Sequence, residues 1–179
     1  MKTISILLLL FSTVLFSCKK EKGCTDPDAK NYNVNAEEDD GSCTYIVKGC
    51  KDANSISYNP LAEIDDGSCL YGGLGGSTDI FLKPQHLSVP VTNKAGYPDS
   101  ALIKFNVKHF HGHFPSDYDL IVTGTDGDDF VKLQGMKPGY YYIFMTGYDS
   151  TINQRVSGEK YYKLTQSSGS VDVIVPVTE

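Results

Sequence analysis

The stretch ALIKFNVKHF, Ala101 to Phe110, decides the fold, because its side chains alternate. Leu102 aside, Ile103, Phe105 and Val107 point one way while Lys104, Asn106 and Lys108 point the other. That period of two sets one face of a strand in a core and the other in water. The same texture recurs on both sides of it. Apolar-polar alternations broken by turn residues run over 80–90, 118–124, 129–133, 140–148, 160–165 and 171–177, and none keeps a helical period. Seven short strands in about 100 residues predict an all-β, immunoglobulin-like sandwich over 79–179. In TGTDGDD the paired acids Asp126, Asp128 and Asp129 fall in a predicted hairpin turn.

The chain of 179 residues, 40% hydrophobic and 21% charged, has room for that domain and something small besides. GGLGGST, residues 72–78, is a flexible linker by composition and marks a boundary. Before it, a short cysteine-bracketed text is written twice, at 23–48 and 49–71. Both copies keep Gly-Cys, an aspartate (Asp26, Asp52), Tyr-Asn, Ala-Glu, Asp-Asp-Gly-Ser-Cys and a closing tyrosine (Tyr45, Tyr71). Cys24 to Cys43 and Cys50 to Cys69 are equal intervals of 19 residues. Four cysteines permit three pairings, and duplicated units most simply carry one bridge each, Cys24–Cys43 and Cys50–Cys69. So small a unit cannot bury enough apolar area to offset chain entropy, so a disulfide and a packed tyrosine must hold it.

Two metal readings compete with that structural one. Zinc lacks both close cysteine pairs and any histidine in the block. Calcium has more to offer it, since Asp26, Asp39, Asp40, Asp52, Asp65 and Asp66 are shared hard ligands on turns. Yet Asp28, Asn31, Asn35 and Glu38 become Asn54, Ser57, Leu61 and Ile64 in the second copy, and neither copy has an EF-hand alternation. A turn with a disulfide is the preferred reading, and no cofactor is expected. From 23 to 71 there are ten acidic and three basic residues, net −7, against eleven and nine, net −2, from 72 to 179. Nucleic acid is therefore excluded as a partner.

The chain starts with a cationic Lys2, an apolar run of about 13 residues and LFSC ending at Cys18. That run is too short for a membrane span, which needs roughly 20 residues, and reads as a secretion signal over 1–17. LFSC resembles the bacterial lipobox. The resemblance implies cleavage before Cys18, acyl chains such as palmitate on that cysteine, and a lysine-rich tether over 18–22. It also implies a lipid-anchored protein of the bacterial envelope, at the outer membrane or cell surface. The membrane would be a partner through the lipid alone, since stable anchoring takes two acyl chains.

In KHFHGHF, alternate histidines on a continuing strand would bring His109, His111 and His113 to one face, with Asp117 and Asp119 near, as zinc or copper sites require. Against this, their parity is that of the buried face, and Gly112 with Pro115 ends the strand. A metal-binding lipoprotein using these three histidines is the alternative function. Serine hydrolysis lacks a G-x-S-x-G elbow, and the chain is expected not to be an enzyme. YYYIFM reads as core and cross-strand packing, with an aromatic platform for sugar or protein as the alternative should its register place Tyr141 outward.

The repeat text GC.DP.A.NYN..A..DDGSC.Y resembles a cysteine repeat of exported proteins of Bacteroidota-type bacteria, which lies beside adhesion-like or binding modules. VKLQGMKPGYYYIFMTGYDS, Val131 to Ser150, resembles the strand-turn-strand signature of prealbumin-like and carboxypeptidase-regulatory-like domains. In that resemblance Gly135 to Gly139 is the turn, Met136 enters the core and Tyr140 starts the returning strand. Together with VDVIVPVTE it implies a non-catalytic sandwich on a small lipoprotein, with a structural role or an unnamed protein or glycan partner.

Overall fold

The computed structural model describes residues 20–179, so the signal segment and Cys18 lie outside the described residues. The chain divides into two compact units between Ile46 and Val47. In the first, β1 (Lys22–Gly23) pairs in parallel with β2 (Glu38–Asp39), and Cys24 is bonded to Cys43. The second unit holds the second repeat, with its Cys50–Cys69 bond, and the sandwich together.

The sandwich is all-β. Its strands are β3 (Gly73–His86), β4 (Val89–Pro90), β5 (Ser100–Phe105), β6 (Leu120–Thr123), β7 (Val131–Lys137), β8 (Gly139–Asp149), β9 (Gln154–Leu164) and β10 (Ser168–Val177). Among the described residues the only helical turn is the 3-10 segment Pro115–Asp117. One sheet runs β10-β3-β4 with β7 also on β3, and the other runs β6-β5-β8-β9. β3 and β10 are parallel from Ser77↔Ser168 to His86↔Val177, and every other pair in the two sheets is antiparallel. At one corner the sheets are stitched by reciprocal bonds of 2.8 Å between Ser157 and Thr178.

Alternation builds the core. Ile80 and Leu82, Ala101 and Ile103, Tyr141, Ile143 and Met145, and Val173, Val175 and Val177 turn inward from their strands. Each large apolar side chain so buried contributes about 1.5–3 kcal/mol. β7 breaks its own parity. Val131 and Leu133 point inward, then Met136 does, because β7 has one residue more than β3 between Leu133↔Ile80 and Met136↔Thr78. The extra residue is absorbed by a bulge at Gly135, whose φ of 65° favours glycine. Its N–H donates to Asp79 Oδ1 at 3.0 Å, and Lys132 pairs with the other oxygen at 2.8 Å. Lys132 first, then that N–H, hold the Asp79 carboxyl below its usual range.

Several expectations are corrected here. The glycine stretch is not a linker, because β3 begins at Gly73. Its glycines are sites of close approach. A Cβ on Gly76 would lie 2.1 Å from the Met136 carbonyl oxygen, and one on Gly72 would lie 2.8 Å from Tyr141 Cζ. The strand expected to reach Phe110 stops at Phe105, because Asn106 takes a φ of 59° and its side chain bonds the Gly72 backbone instead. The TGTDGDD segment expected as a hairpin turn is not one, and the turn within Gly135 to Gly139 does not pair the strands that flank it. β7 pairs with β3 while β8 pairs with β5 and β9, so the chain changes sheets at Pro138. The TGTDGDD segment likewise carries it from β6 in one sheet to β7 in the other. The true long hairpin is β8–β9, in register from Gly139↔Leu164 to Asp149↔Gln154.

Candidate functional site

In both repeats the conserved acids serve the backbone. Asp39 and Asp40 accept the N–H groups of Gly41 and Ser42, as Asp65 and Asp66 accept those of Gly67 and Ser68, at 2.9–3.0 Å. Asp26 accepts from Asp28 N–H and the Tyr45 hydroxyl, and Asp52 from Asn54 N–H and the Tyr71 hydroxyl, the latter bond 2.7 Å in each. The backbone donor first, then the phenol, lowers the pKa of each of these two carboxyls. The side-chain and backbone donors of Ser42 and Ser68 do the same for Asp40 and Asp66. Among the described residues no three His, Cys, Asp or Glu side chains are grouped so as to hold a metal ion.

The histidine segment lies beyond the end of its strand, which stops earlier than Gly112 and Pro115 would have set it. After Asn106 the chain folds back over the outer face of β8 and β9, and Phe110 rather than a histidine points in. Its ring meets Tyr118 and Tyr142, each at 5.2 Å, while its N–H and C=O bond the Tyr161 hydroxyl at 2.9 and 3.1 Å. His109, His111 and His113 are all exposed, against the buried parity expected for them, because the strand that would have set that parity has ended. Asp117 accepts the N–H groups of His113 and Phe114, which hold its pKa down. Asp119 pairs with Lys104 and accepts Phe105 N–H. Asp126 and Asp129 are exposed and Asp128 half-buried on the crossover loop.

The structure fixes the register of the tyrosine run with Tyr141 on the core side. Tyr141 is 1% exposed and faces the core, where it accepts Gly73 N–H at 2.9 Å and donates to the Lys137 carbonyl. Tyr140 and Tyr142 therefore lie on the outer face. Tyr142 is covered by the folded-back loop, and its hydroxyl donates to Glu159; burial first and then Glu159 drive its pKa far up. Tyr140 stays accessible, at the end of a cavity of about 190 Å³ lined by Val107, Lys108, Tyr140, Tyr141, Tyr161, Tyr162 and Lys163. The Lys108 and Lys163 ammonium groups lie 4.8 and 5.4 Å from the Tyr140 ring centroid, and Lys108 is 5.9 Å from Tyr58 of the second repeat. Two cations over one ring, with no acid in the lining, can hold an anion that has an apolar face.

Two further hollows differ in kind. One of about 420 Å³ includes Lys160, whose ammonium is committed to the Ile174 carbonyl at 2.6 Å. The other, of about 360 Å³, is lined by Leu102, Phe114, Tyr118 and Phe144 among others and carries no lysine. Sequence reasoning missed the polar end of the core. There His86 bonds Asp149 at 2.8 Å, and Asp99 is fully buried with no hydrogen-bond partner for either carboxylate oxygen among the described residues. Burial pushes the Asp99 carboxyl up to about 6, against a smaller opposing pull from the Tyr148 amide.

No family model matches the chain. A stretch of 24 residues, 13% of this chain, is 71% identical to chloroplastic ribulose bisphosphate carboxylase/oxygenase activase of Spinacia oleracea, of which it spans 5%. Among solved structures, a DUF4876 family protein from Bacteroides thetaiotaomicron is similar over 57% of this chain and 24% of its own, with 17% identity and a TM-score of 0.33. Neither likeness carries an argument about function.

Proposed function

We propose that this chain is an exported, lipid-anchored and non-catalytic binding protein of the bacterial envelope. In this reading Cys18 bears the acyl anchor at the outer membrane or cell surface. The two acidic repeats follow the anchor in the chain and precede the sandwich, which presents its tyrosine-lysine pocket to a protein or glycan. The prealbumin-like signature in Val131 to Ser150 fits such a companion domain. The observation that carries the binding role is the pocket itself, an accessible Tyr140 flanked by the ammonium groups of Lys108 and Lys163. Exposed aromatic faces beside fixed charges are how binding sites combine apolar area with orientation.

Two measurements test this reading. Mass spectrometry of the native amino terminus should find an acylated Cys18, and Cys18→Ala should release the protein from membranes; an unmodified terminus elsewhere removes the anchor from the proposal. For the binding role, a panel of neutral glycans, acidic glycans and peptides is probed with the full mature chain and with its Tyr140→Leu/Tyr161→Leu variant. A ligand captured by the first and lost by the second supports the role. A panel without any such ligand overturns it.

A further inference from the structure

We propose that the pocket between Lys108, Tyr140 and Lys163 seats a single acidic sugar ring, a hexuronic acid unit at the end of a glycan. This rests on the reading of the sandwich as a binding module and names the ligand class of that same site. The size of the space sets the first limit. A cavity of about 190 Å³ is a small one, suited to a single ring and its substituents. Sites that engulf a whole small ligand run to about 300–1,000 Å³. The pocket therefore takes the end of something larger.

Charge sets the second limit. Among the described residues neither Lys108 nor Lys163 forms an ion pair, although both lie against the same ring. In this proposal the carboxylate lies beside the Tyr140 ring and takes charge-assisted bonds from the lysine ammonium groups. The Tyr161 hydroxyl is already engaged by the Phe110 backbone, so polar recognition falls to the two lysines and to the Tyr140 and Tyr162 hydroxyls in the lining. What remains of the wall is aromatic face and the side chain of Val107, which suits the C–H face of a pyranose ring. The neighbouring repeat decides how many charges the ligand carries. Lys108 already acts on Asp52, and the second repeat, 49–71, has a net charge of −3. Nucleic acid, a polyacidic peptide or an anionic lipid surface would be repelled by that field. A ring with one carboxylate is not, once it is seated between two cations.

The test uses the full mature chain, with methyl glucuronide, methyl glucoside and a triglutamate peptide as probes. Dissociation constants are taken by calorimetry, and the site is located by shifts in the Tyr140 and Tyr161 ring resonances. The glucuronide is expected to bind with shifts at both rings, and the glucoside about tenfold or more weaker. Lys108→Gln and Lys163→Gln should each lower glucuronide affinity about tenfold, and added salt should lower it further. Both lysines are exposed, so an unchanged melting temperature checks that these variants fold. Equal binding of the two sugars, absence of shifts with the glucuronide, or full affinity in the double lysine variant overturns the proposal. So does tighter binding of triglutamate at the same rings, which would assign the pocket to acidic peptides. Failure here is separable from failure of the binding role, because a site-dependent ligand of another class would still emerge from the panel.

Discussion

The two cysteine repeats are wired alike yet belong to different units, and the residue after the closing tyrosine marks the divergence. In the first repeat Tyr45 is followed by Ile46, which is exposed at the end of its unit. In the second, Tyr71 is followed by Gly72, and the chain runs at once into β3 of the sandwich. Gly72 touches Gly139 and the Tyr141 ring, and it exchanges hydrogen bonds with Asn106 at 2.6 and 3.2 Å. One repeat is thus a self-contained staple, whereas the other is built into the sheet. Small disulfide units of this kind gain a second source of stability when a larger core adopts one of their ends.

The sharpest way to break that difference is to exchange the residues that follow the tyrosines. Gly72→Ile brings a Cβ to 2.8 Å from Tyr141 Cζ and 3.2 Å from Gly139 Cα. It should destabilise the second unit by about 3–4 kcal/mol, by overpacking and by displacing the tyrosine that accepts Gly73 N–H. The reciprocal Ile46→Gly should leave the melting of the second unit unchanged. Thermal denaturation followed by near-ultraviolet dichroism of the sandwich tyrosines distinguishes the two.

Removing the staples is expected to rank next. Each closes a loop with a sequence separation of 19, worth about 3 kcal/mol in the chain-entropy account. Cys24→Ala/Cys43→Ala should unfold the first repeat and leave the sandwich transition in place. Cys50→Ala/Cys69→Ala should lower the sandwich transition, because that repeat shares its unit. Equal responses of the sandwich to both pairs would show that the two repeats are not distinguished by unit.

Acid separates the carboxylates by environment. Asp26 and Asp40 in the first repeat have lowered pKa values, so the stability they contribute is present above the ordinary value of 3.8 and is lost as pH falls below it. Asp99 has the reverse sign. Its carboxyl is raised from 3.8 to about 6, so between those values the folded state holds a proton that the unfolded state has released. The stability contributed by that proton is complete below about 3.8, falls as pH rises to about 6 and is absent above. Charged Asp99 thus lowers stability at pH 7 by about 3 kcal/mol, of which Asp99→Asn should recover about 2 while flattening the slope. Denaturant titrations of the wild type and variant at pH 4, 5, 6 and 7 measure both effects. A variant that keeps the wild-type slope would clear Asp99 of the role.

The all-β class and the two staples were legible because both are written as periods, alternation in ALIKFNVKHF and equal intervals between cysteines. Less legible were the features set by contact between distant parts of the chain. GGLGGST has the composition of a linker, and only the Met136 carbonyl and the Tyr141 ring reveal that its glycines are there to admit neighbours. The register of YYYIFM could not be read from its own residues, because the chain changes sheets at Pro138 and no parity carries across from β7. Lys108 and Lys163 lie far apart in sequence and meet only over Tyr140. Asp99 gave no signal at all, since an aspartate before a strand ordinarily reads as a turn residue.

The smallest expected effect tests whether the differences between the repeats are neutral by design of the turn. Asn31 was the clearest loss to the calcium reading, since its counterpart is Ser57. The hydrogen bonds explain the exchange without a metal. Asn31 donates to the Ser42 carbonyl at 2.7 Å and accepts Thr44 N–H at 2.7 Å, while Ser57 donates to the Ser68 carbonyl at 2.7 Å and accepts Leu70 N–H at 3.0 Å. An amide and a hydroxyl each supply one donor and one acceptor to the same two backbone groups. Asn31→Ser should therefore change the stability of the first repeat by no more than about 0.5 kcal/mol, whereas Asn31→Ala strips both partners and should cost about 1–2. Amide exchange at Thr44 is the direct readout, with protection retained in the serine variant and lost in the alanine one. If serine fails as badly as alanine, the two sites are not equivalent, and Asn31 does something in the first repeat that Ser57 does not do in the second.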